Sequence, residues 1–306
     1  ILPLVFLSLQ SCFVAKDYEQ PEIVNEENFR TDNIPQDSLT MADVSWRDMF
    51  TDPVLQDYIE EGLQNNIDIR VALQQIVSAE AYLKQGKAGY FPSVTINPTY
   101  THQELSSNSQ FGNFFSSLNQ YELSADLSWE ADIWGKIRSQ KRAYEASYLQ
   151  SVAAHQAVKT TLIANIASTY YQLLSLDEQR RITEQTIETR KKSLETNKAL
   201  KEAGNITEVG VKQTEAQLYT AQAILIDTNN QIRLLENTMS ILLGKEPEDI
   251  NRTSLAQQNI DTELKTGVPA QLLRNRPDVI QAEYGLVNAF EMTNVARANF
   301  YPSLTL

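Results

Sequence analysis

Three carboxylates, Glu122, Asp126 and Glu130, stand four residues apart in the stretch Tyr121-Glu122-Leu123-Ser124-Ala125-Asp126-Leu127-Ser128-Trp129-Glu130. The intervening residues alternate strictly between apolar and polar, which is strand spacing. All three acids therefore fall on the polar face, opposite an apolar face with an aromatic at each end. A row of carboxylates facing a water-filled passage favours cations through its local field. The same row can equally do no more than keep such a wall wet, and both readings stand. Other chemistry is hard to find. His102 and His155 are isolated, one beside a strand and one on a helix, and read as structural or solvated. No metal-ligand cluster, phosphate loop or nucleophile motif stands out, so no enzyme, cofactor or metal is expected.

The 306-residue chain carries 39 acidic against 26 basic residues, a net charge of −13 that speaks against a nucleic-acid partner. Scarce glycine and proline, with Ala, Gln, Leu, Glu and Lys dominating the middle, suit long helices and coiled coils. One cysteine, Cys12, excludes a disulfide within the chain. The apolar run Ile1 to Leu9 before Gln10-Ser11-Cys12 reads as the tail of a bacterial lipoprotein signal, with Cys12 receiving the lipid. An ordinary secretory signal with an incidental cysteine is the alternative, and either exports the protein. The run is too short to span a bilayer, which takes about 20 apolar residues. With no initial methionine and an end inside the apolar pattern Tyr301–Leu306, the sequence is expected to be a fragment.

An extended arm is expected over 13–45. From Trp46 the sequence predicts a first structural repeat over 46–245. Asp52-Pro53 opens a helix with Val54, Leu55, Tyr58, Ile59 and Leu63 in one stripe. A second helix covers Asp68 to Lys87, with Ile69, Ala72, Leu73, Ile76, Ala79 and Leu83 on one side. A β-hairpin occupies 90–130, around a polar stretch from Ser106 to Ser117. Taken alone, the Tyr121–Glu130 strand fits a soluble antiparallel sheet with one wet face; export and the lack of further strands favour a transmembrane hairpin.

Between Gly135 and Gly204 there is neither glycine nor proline, so one helix is predicted over 136–200, roughly 100 Å long at about 1.5 Å per residue. Its upper half is apolar on several sides; its lower half has a thin seam of Ile182, Ile187 and Leu194, as in a coiled coil. Ala203-Gly204-Asn205 stops it, Thr207 caps a return helix over 207–243, and Gly244 ends that. A polar connecting segment over 246–275 then leads to Pro277 and another helix.

At an offset of 210 residues the chain repeats itself. Asn66–Ile96 aligns without gaps on Arg276–Leu306, and Tyr90-Phe91-Pro92-Ser93-Val94-Thr95-Ile96 falls on Phe300-Tyr301-Pro302-Ser303-Leu304-Thr305-Leu306. So many distinct residue types in register make duplication the natural account. Residues 276–306 are then the start of a second repeat.

Trp46…Phe50-x-Asp52-x-x-Leu55…Asn66-x-Asp68, the two aromatic-aromatic-Pro-Ser strand openings, Leu273-x-x-Arg276-Pro277-Asp278-Val279 and Asp132-Ile133-Trp134-Gly135 together resemble the TolC-like outer membrane efflux proteins, in particular their lipidated branch. The resemblance implies a mainly α fold with a small β part. Long α-helical hairpins would form a periplasmic tunnel, and β-hairpins would join a trimeric, 12-stranded transmembrane β-barrel. It also implies a homotrimer in the outer membrane lipid, with 246–275 as the equatorial segment, working with a periplasmic adaptor (membrane fusion) protein and an inner-membrane pump. Glu122, Asp126 and Glu130 would face the lumen, and the turn with Gly204, Asn205, Thr207 and Glu208 would meet the adaptor. The other reading, from a different class, is a structural coiled-coil envelope lipoprotein that transports nothing.

Overall fold

A computed structural model describes residues 14–20, 44–106, 108–111, 114, 116–258 and 275–306. Cys12, most of the expected arm and part of the connecting segment lie outside the described residues. The described elements, in chain order, are α1 (Trp46–Met49), α2 (Pro53–Asn65), α3 (Ile67–Ala88), β1 (Ser93–Glu104), β2 (Ser117–Ser128), β3 (Glu130–Ala131), α4 (Lys136–Glu202), α5 (Glu208–Leu243), α6 (Pro277–Ala298) and β4 (Leu304–Thr305). The chain is thus mainly helical with a small β part, as expected. It forms two compact units. One holds the described residues 14–20 with Ile76–Ser151 and Gln281–Leu306; the other holds 44–75, 152–258 and 275–280.

In the second of these units, α2 is held at both ends by buried polar side chains. Asp52 caps it, one carboxylate oxygen accepting from the Val54 amide at 2.9 Å, with Pro53 in the first turn where its missing N–H costs nothing. The other oxygen accepts from the Tyr170 hydroxyl at 2.8 Å, the Thr253 hydroxyl at 2.6 Å and the Gln258 amide at 2.7 Å. Burial pushes the Asp52 pKa up, but these four donors outweigh it and leave the carboxyl below its ordinary value. At the other end Asn66 donates to the Leu242 carbonyl at 2.9 Å and accepts from the amides of Asp68 and Ile69, so one side chain ends α2 and starts α3. Between these ends Leu55 and Ile59 join Leu162, Ile166, Tyr170, Leu173, Ile232, Met239 and Leu243 in the core. Gly62 lets α2 close on α4, since a Cβ there would lie 2.4 Å from the Ile166 side chain. Arg252, from the connecting segment, pairs with Asp177 of α4 and, at 2.6 Å, with Glu236 of α5. Those hydrogen bonds hold its guanidinium pKa above the usual arginine value despite burial.

The two long helices pack by heptads. Along α5 the shielded positions are Val211, Thr214, Leu218, Ala221, Leu225, Thr228, Ile232, Leu235 and Met239, alternating steps of three and four as a coiled-coil seam does. Thr214 and Thr228 fit there because their hydroxyls donate back to the carbonyls of Gly210 and Ile224, at 3.0 and 2.8 Å. Asn197 also donates to the Thr214 hydroxyl across the helix pair at 2.7 Å. Apolar side chains one step off a seam are displaced, Ile182 and Leu73 among those expected to be shielded. Ile182 is 50% exposed and Thr183, one residue on, takes its place; Ile224 is 43% exposed beside Leu225; on α3, Leu73 is 44% exposed beside Ala72. A helix turns about 100° per residue, so an apolar side chain one step off the seam points out however apolar it is.

Helix α4 has 67 residues and runs two past the expected end. Its start explains Asp132-Ile133-Trp134-Gly135. The Asp132 carboxylate takes the amides of Ile137 and Arg138, one on each oxygen at 2.9 Å, reaching back over Gly135 in the left-handed conformation at φ +77°.

Candidate functional site

Strands β1 and β2 pair antiparallel over their full length, Ser93 against Ser128 through Glu104 against Ser117. That register stacks Val94 on Leu127, Ile96 on Ala125, Pro98 on Leu123 and Tyr100 on Tyr121, so two apolar faces become one. Val94, Ile96, Tyr100, Tyr121, Leu123 and Leu127 are 57–79% exposed. Leaving such side chains in water forfeits roughly 1.5–3 kcal/mol each, so this face calls for an apolar cover. The opposite face carries Ser93, Thr95, Asn97 and Thr99 across from Ser128, Asp126, Ser124 and Glu122. There Asp126 accepts from the Asn97 amide at 2.9 Å.

Glu122 and Asp126 share the polar face of β2, and Glu130 follows in β3. The β1–β2 ladder ends at Ser128, and from Trp129 the chain pairs instead with the second strand opening. Trp129 and Leu306 exchange both backbone hydrogen bonds, at 3.0 and 2.9 Å, and Glu130 and Ala131 pair with Thr305 and Leu304. Glu130 is shielded and held by the Lys136 ammonium at 3.1 and 3.2 Å. Of the expected row of three, Glu122 and Asp126 lie on the polar face of β2, and Glu130, in β3, is ion-paired with Lys136 at the start of α4.

Two tryptophans pin the two strand openings. The Trp129 indole donates to the Tyr90 carbonyl at 3.1 Å. The Trp134 indole donates to the Pro302 carbonyl at 2.8 Å while its ring stacks on Tyr301 at 4.8 Å. The pairing between β3 and β4 joins the chain just after the β1–β2 hairpin to the second strand opening, which spacing along the chain does not reveal.

At the other candidate site, Gly204 is left-handed at φ +77°, its amide donating to the Lys201 carbonyl and that of Asn205 to the Leu200 carbonyl. These two bonds close the end of α4 in the manner of a Schellman turn. Thr207 occupies the cap position of α5 with an extended backbone, yet its hydroxyl makes no capping bond. Its role passes to Glu208, which sits in the first helical turn, where the dipole favours an acid, and pairs with Lys201 across the turn. The hydrogen bond from Lys201 lowers the Glu208 pKa. Among the described residues no group of three or more His, Cys, Asp or Glu could hold a metal ion, and no helix is long and apolar enough to cross a membrane.

Residues 58–245, more than half of the chain, match the family Outer membrane efflux protein. The chain belongs to that family. Similar curated proteins include the toluene efflux pump outer membrane protein TtgF of Pseudomonas putida, 29% identical over 87% of this chain and 55% of the relative. The probable outer membrane lipoprotein SilC of Salmonella typhimurium is 26% identical over 99% of this chain and 65% of its own length. Among solved structures, the open state of the MtrE outer membrane channel of Neisseria gonorrhoeae superposes with a TM-score of 0.78 at 26% identity, over 96% of this chain and 65% of that one. This outer membrane efflux protein thus spans between about half and two thirds of the length of the relatives it matches.

Proposed function

We propose that the whole protein is the outer membrane exit duct of a tripartite efflux system, through which small molecules pass passively from an inner-membrane pump and periplasmic adaptor to the exterior. The observation that carries this reading is the hairpin whose pairs from Val94–Leu127 to Tyr100–Tyr121 make an exposed apolar face, opposite a polar face that carries Glu122 and Asp126. A lipid bilayer is the cover such a ribbon needs, because its free edges can be satisfied only by further strands closing a barrel. Other copies of the chain supply those strands in a homotrimer. The polar face then lines the lumen, where Glu122 and Asp126 bias the passage towards cations, with Glu130 contributing less because Lys136 already offsets it. The turn at Gly204, Asn205, Thr207 and Glu208 meets the adaptor, and Cys12 carries the lipid anchor. The organisation into a first repeat over 46–245, an equatorial segment over 246–275 and a second repeat from 276 belongs to the same proposal.

Conductance of the purified full-length protein in a planar bilayer tests the duct, and a heat-modifiable trimer without conductance overturns it. Replacing Glu122, Asp126 and Glu130 together by Gln should lower cation selectivity; unchanged selectivity would sink the role of the acids. Cysteines placed at Asn205 and Glu208 should crosslink to the adaptor in cells, and capture confined to random neighbours would count against that contact.

A further inference from the structure

In the unit that holds the hairpin, residues 14–20 are laid against α6 by contacts that the hairpin and the long helices do not require. The Asn294 side chain, 1% exposed, uses its amide twice on the backbone of one residue. Its oxygen accepts from the Lys16 N–H at 3.2 Å and its nitrogen donates to the Lys16 carbonyl at 2.9 Å. This is how a neighbouring strand reads a backbone, so it fixes the segment whatever the side chain at position 16. The same amide nitrogen donates at 3.2 Å to Glu291, which is 3% exposed, and Arg297 donates to the amide oxygen at 3.3 Å. Arg142, on α4, lies 3.3 Å from Asp17 and 3.6 Å from Glu291, bridging the segment to the buried acid. Tyr18 packs edge-on against Phe290 at 5.6 Å, and Ala15 comes within 3.4 Å of a Cβ built on Gly135.

The repeat supplies an internal control. Positions 291 and 294 correspond to Ala81 and Lys84 in the first copy, where no such cluster is possible. The second copy therefore carries a buried polar receptor that the first lacks, and residues 14–20 occupy it.

We infer that Lys16–Tyr18 is a strap, that Asn294 with Glu291 and Arg142 is its receptor, and that the pair fixes the depth at which the N-terminal anchor acts. Three residues lie between Cys12 and Lys16, and four steps along the chain reach at most about 14 Å. A lipid on Cys12 is thereby tied to the junction where strands give way to helices, rather than trailing on a free tether. The consequence for anchoring rests on the proposed lipidation; the strap itself does not.

Limited trypsinolysis after Lys16 in the full-length protein tests it, because a protease must pull its substrate segment out of such contacts. Asn294→Ala should speed this cleavage about tenfold, the effect of losing roughly 1.4 kcal/mol of buried hydrogen bonding, while Lys84→Ala should leave it unchanged. Equal rates in wild type and Asn294→Ala would overturn the strap. If Asn294→Ala fails to assemble, Arg142→Gln removes only the ionic bridge; it should still speed cleavage severalfold, and an unchanged rate would overturn the proposal equally. Incorporation of a labelled fatty acid, compared with Cys12→Ser, reports the lipid separately, so a missing anchor and a missing strap give different results.

Discussion

Helices α3 and α6 are copies of one unit: each has 22 residues, and an offset of 210 carries Ile67 to Pro277 and Ala88 to Ala298. They do not bury the same face. Along α3 the shielded positions are Ile69, Ala72, Ile76, Ala79, Leu83 and Gly86. In α6 the counterparts Ala282, Leu286, Ala289, Thr293 and Ala296 are exposed, Val279 (the counterpart of Ile69) is shielded, and most of the remaining helix is shielded too, with Glu291, Asn294, Val295 and Ala298 buried. Beyond the first turn, the stripe that α3 shields is thus the stripe that α6 leaves exposed. Each copy meets α4 in its own way. Gly86 of α3 abuts Tyr144, on which Tyr82 also stacks at 6.1 Å, while Asn288 of α6 donates to the Ala143 carbonyl at 2.7 Å and Gly285 abuts Gln150. Duplication thus preserved helix length and strand opening, while the neighbours chose which face is buried.

The copies also begin differently, and the largest effects should separate them there. Asn66 is buried with three hydrogen bonds, whereas its counterpart Arg276 is exposed and paired with Asp278. Asn66→Ala should cost about 2–4 kcal/mol of stability, as a lost cap plus an orphaned carbonyl, and Arg276→Ala less than about 0.5 kcal/mol. Thermal unfolding of the full-length protein compares them, and equal losses would break the distinction. Acid should likewise separate the start of α2 from the start of α6. The Asp52 pKa is lowered in the fold, so its contribution is present above the ordinary aspartate range and disappears as pH falls through the lowered value. Asp278 is lowered as well, by Arg276, but at an exposed site. Asp52→Asn should flatten the acid-side fall in melting temperature, whereas Asp278→Asn should alter it little and only at low salt.

Next in size is the face itself. A Cβ at Gly86 would lie 2.5 Å from the Tyr144 ring, so Gly86→Val should cost about 1–3 kcal/mol by overpacking. Ala296→Val, at the exposed counterpart, should stay within about 0.5 kcal/mol in the same unfolding measurement. The smallest effects concern the strand openings. Trp134→Phe removes the bond to Pro302 and should cost about 1 kcal/mol; Trp129→Phe removes the more exposed bond to Tyr90 and should cost less. A reversed order would mean that the second opening is held by something other than Trp134.

Much of this was legible from the residues because it is local. Strand period, the absence of glycine between 135 and 204, the left-handed stops at Gly204 and Gly244 and the 210-residue repeat depend on neighbours in sequence, so side-chain chemistry alone expresses them. The helical architecture followed from them, whereas the family resemblance rested on motifs such as Asp132-Ile133-Trp134-Gly135 and Arg276-Pro277-Asp278-Val279. The tertiary structure decided what two distant segments decide together. It set the β1–β2 register that merges two apolar faces, and it gave Glu130 a partner in Lys136. It allowed Thr183, Thr214 and Thr228 into seams where composition would place Ile or Leu, because a threonine hydroxyl can be satisfied by its own helix. It also buried Asn294 and Glu291, whose one trace in the sequence is a departure from the repeat. A polar side chain is buried only where a partner waits, and partners hundreds of residues away leave no period to read.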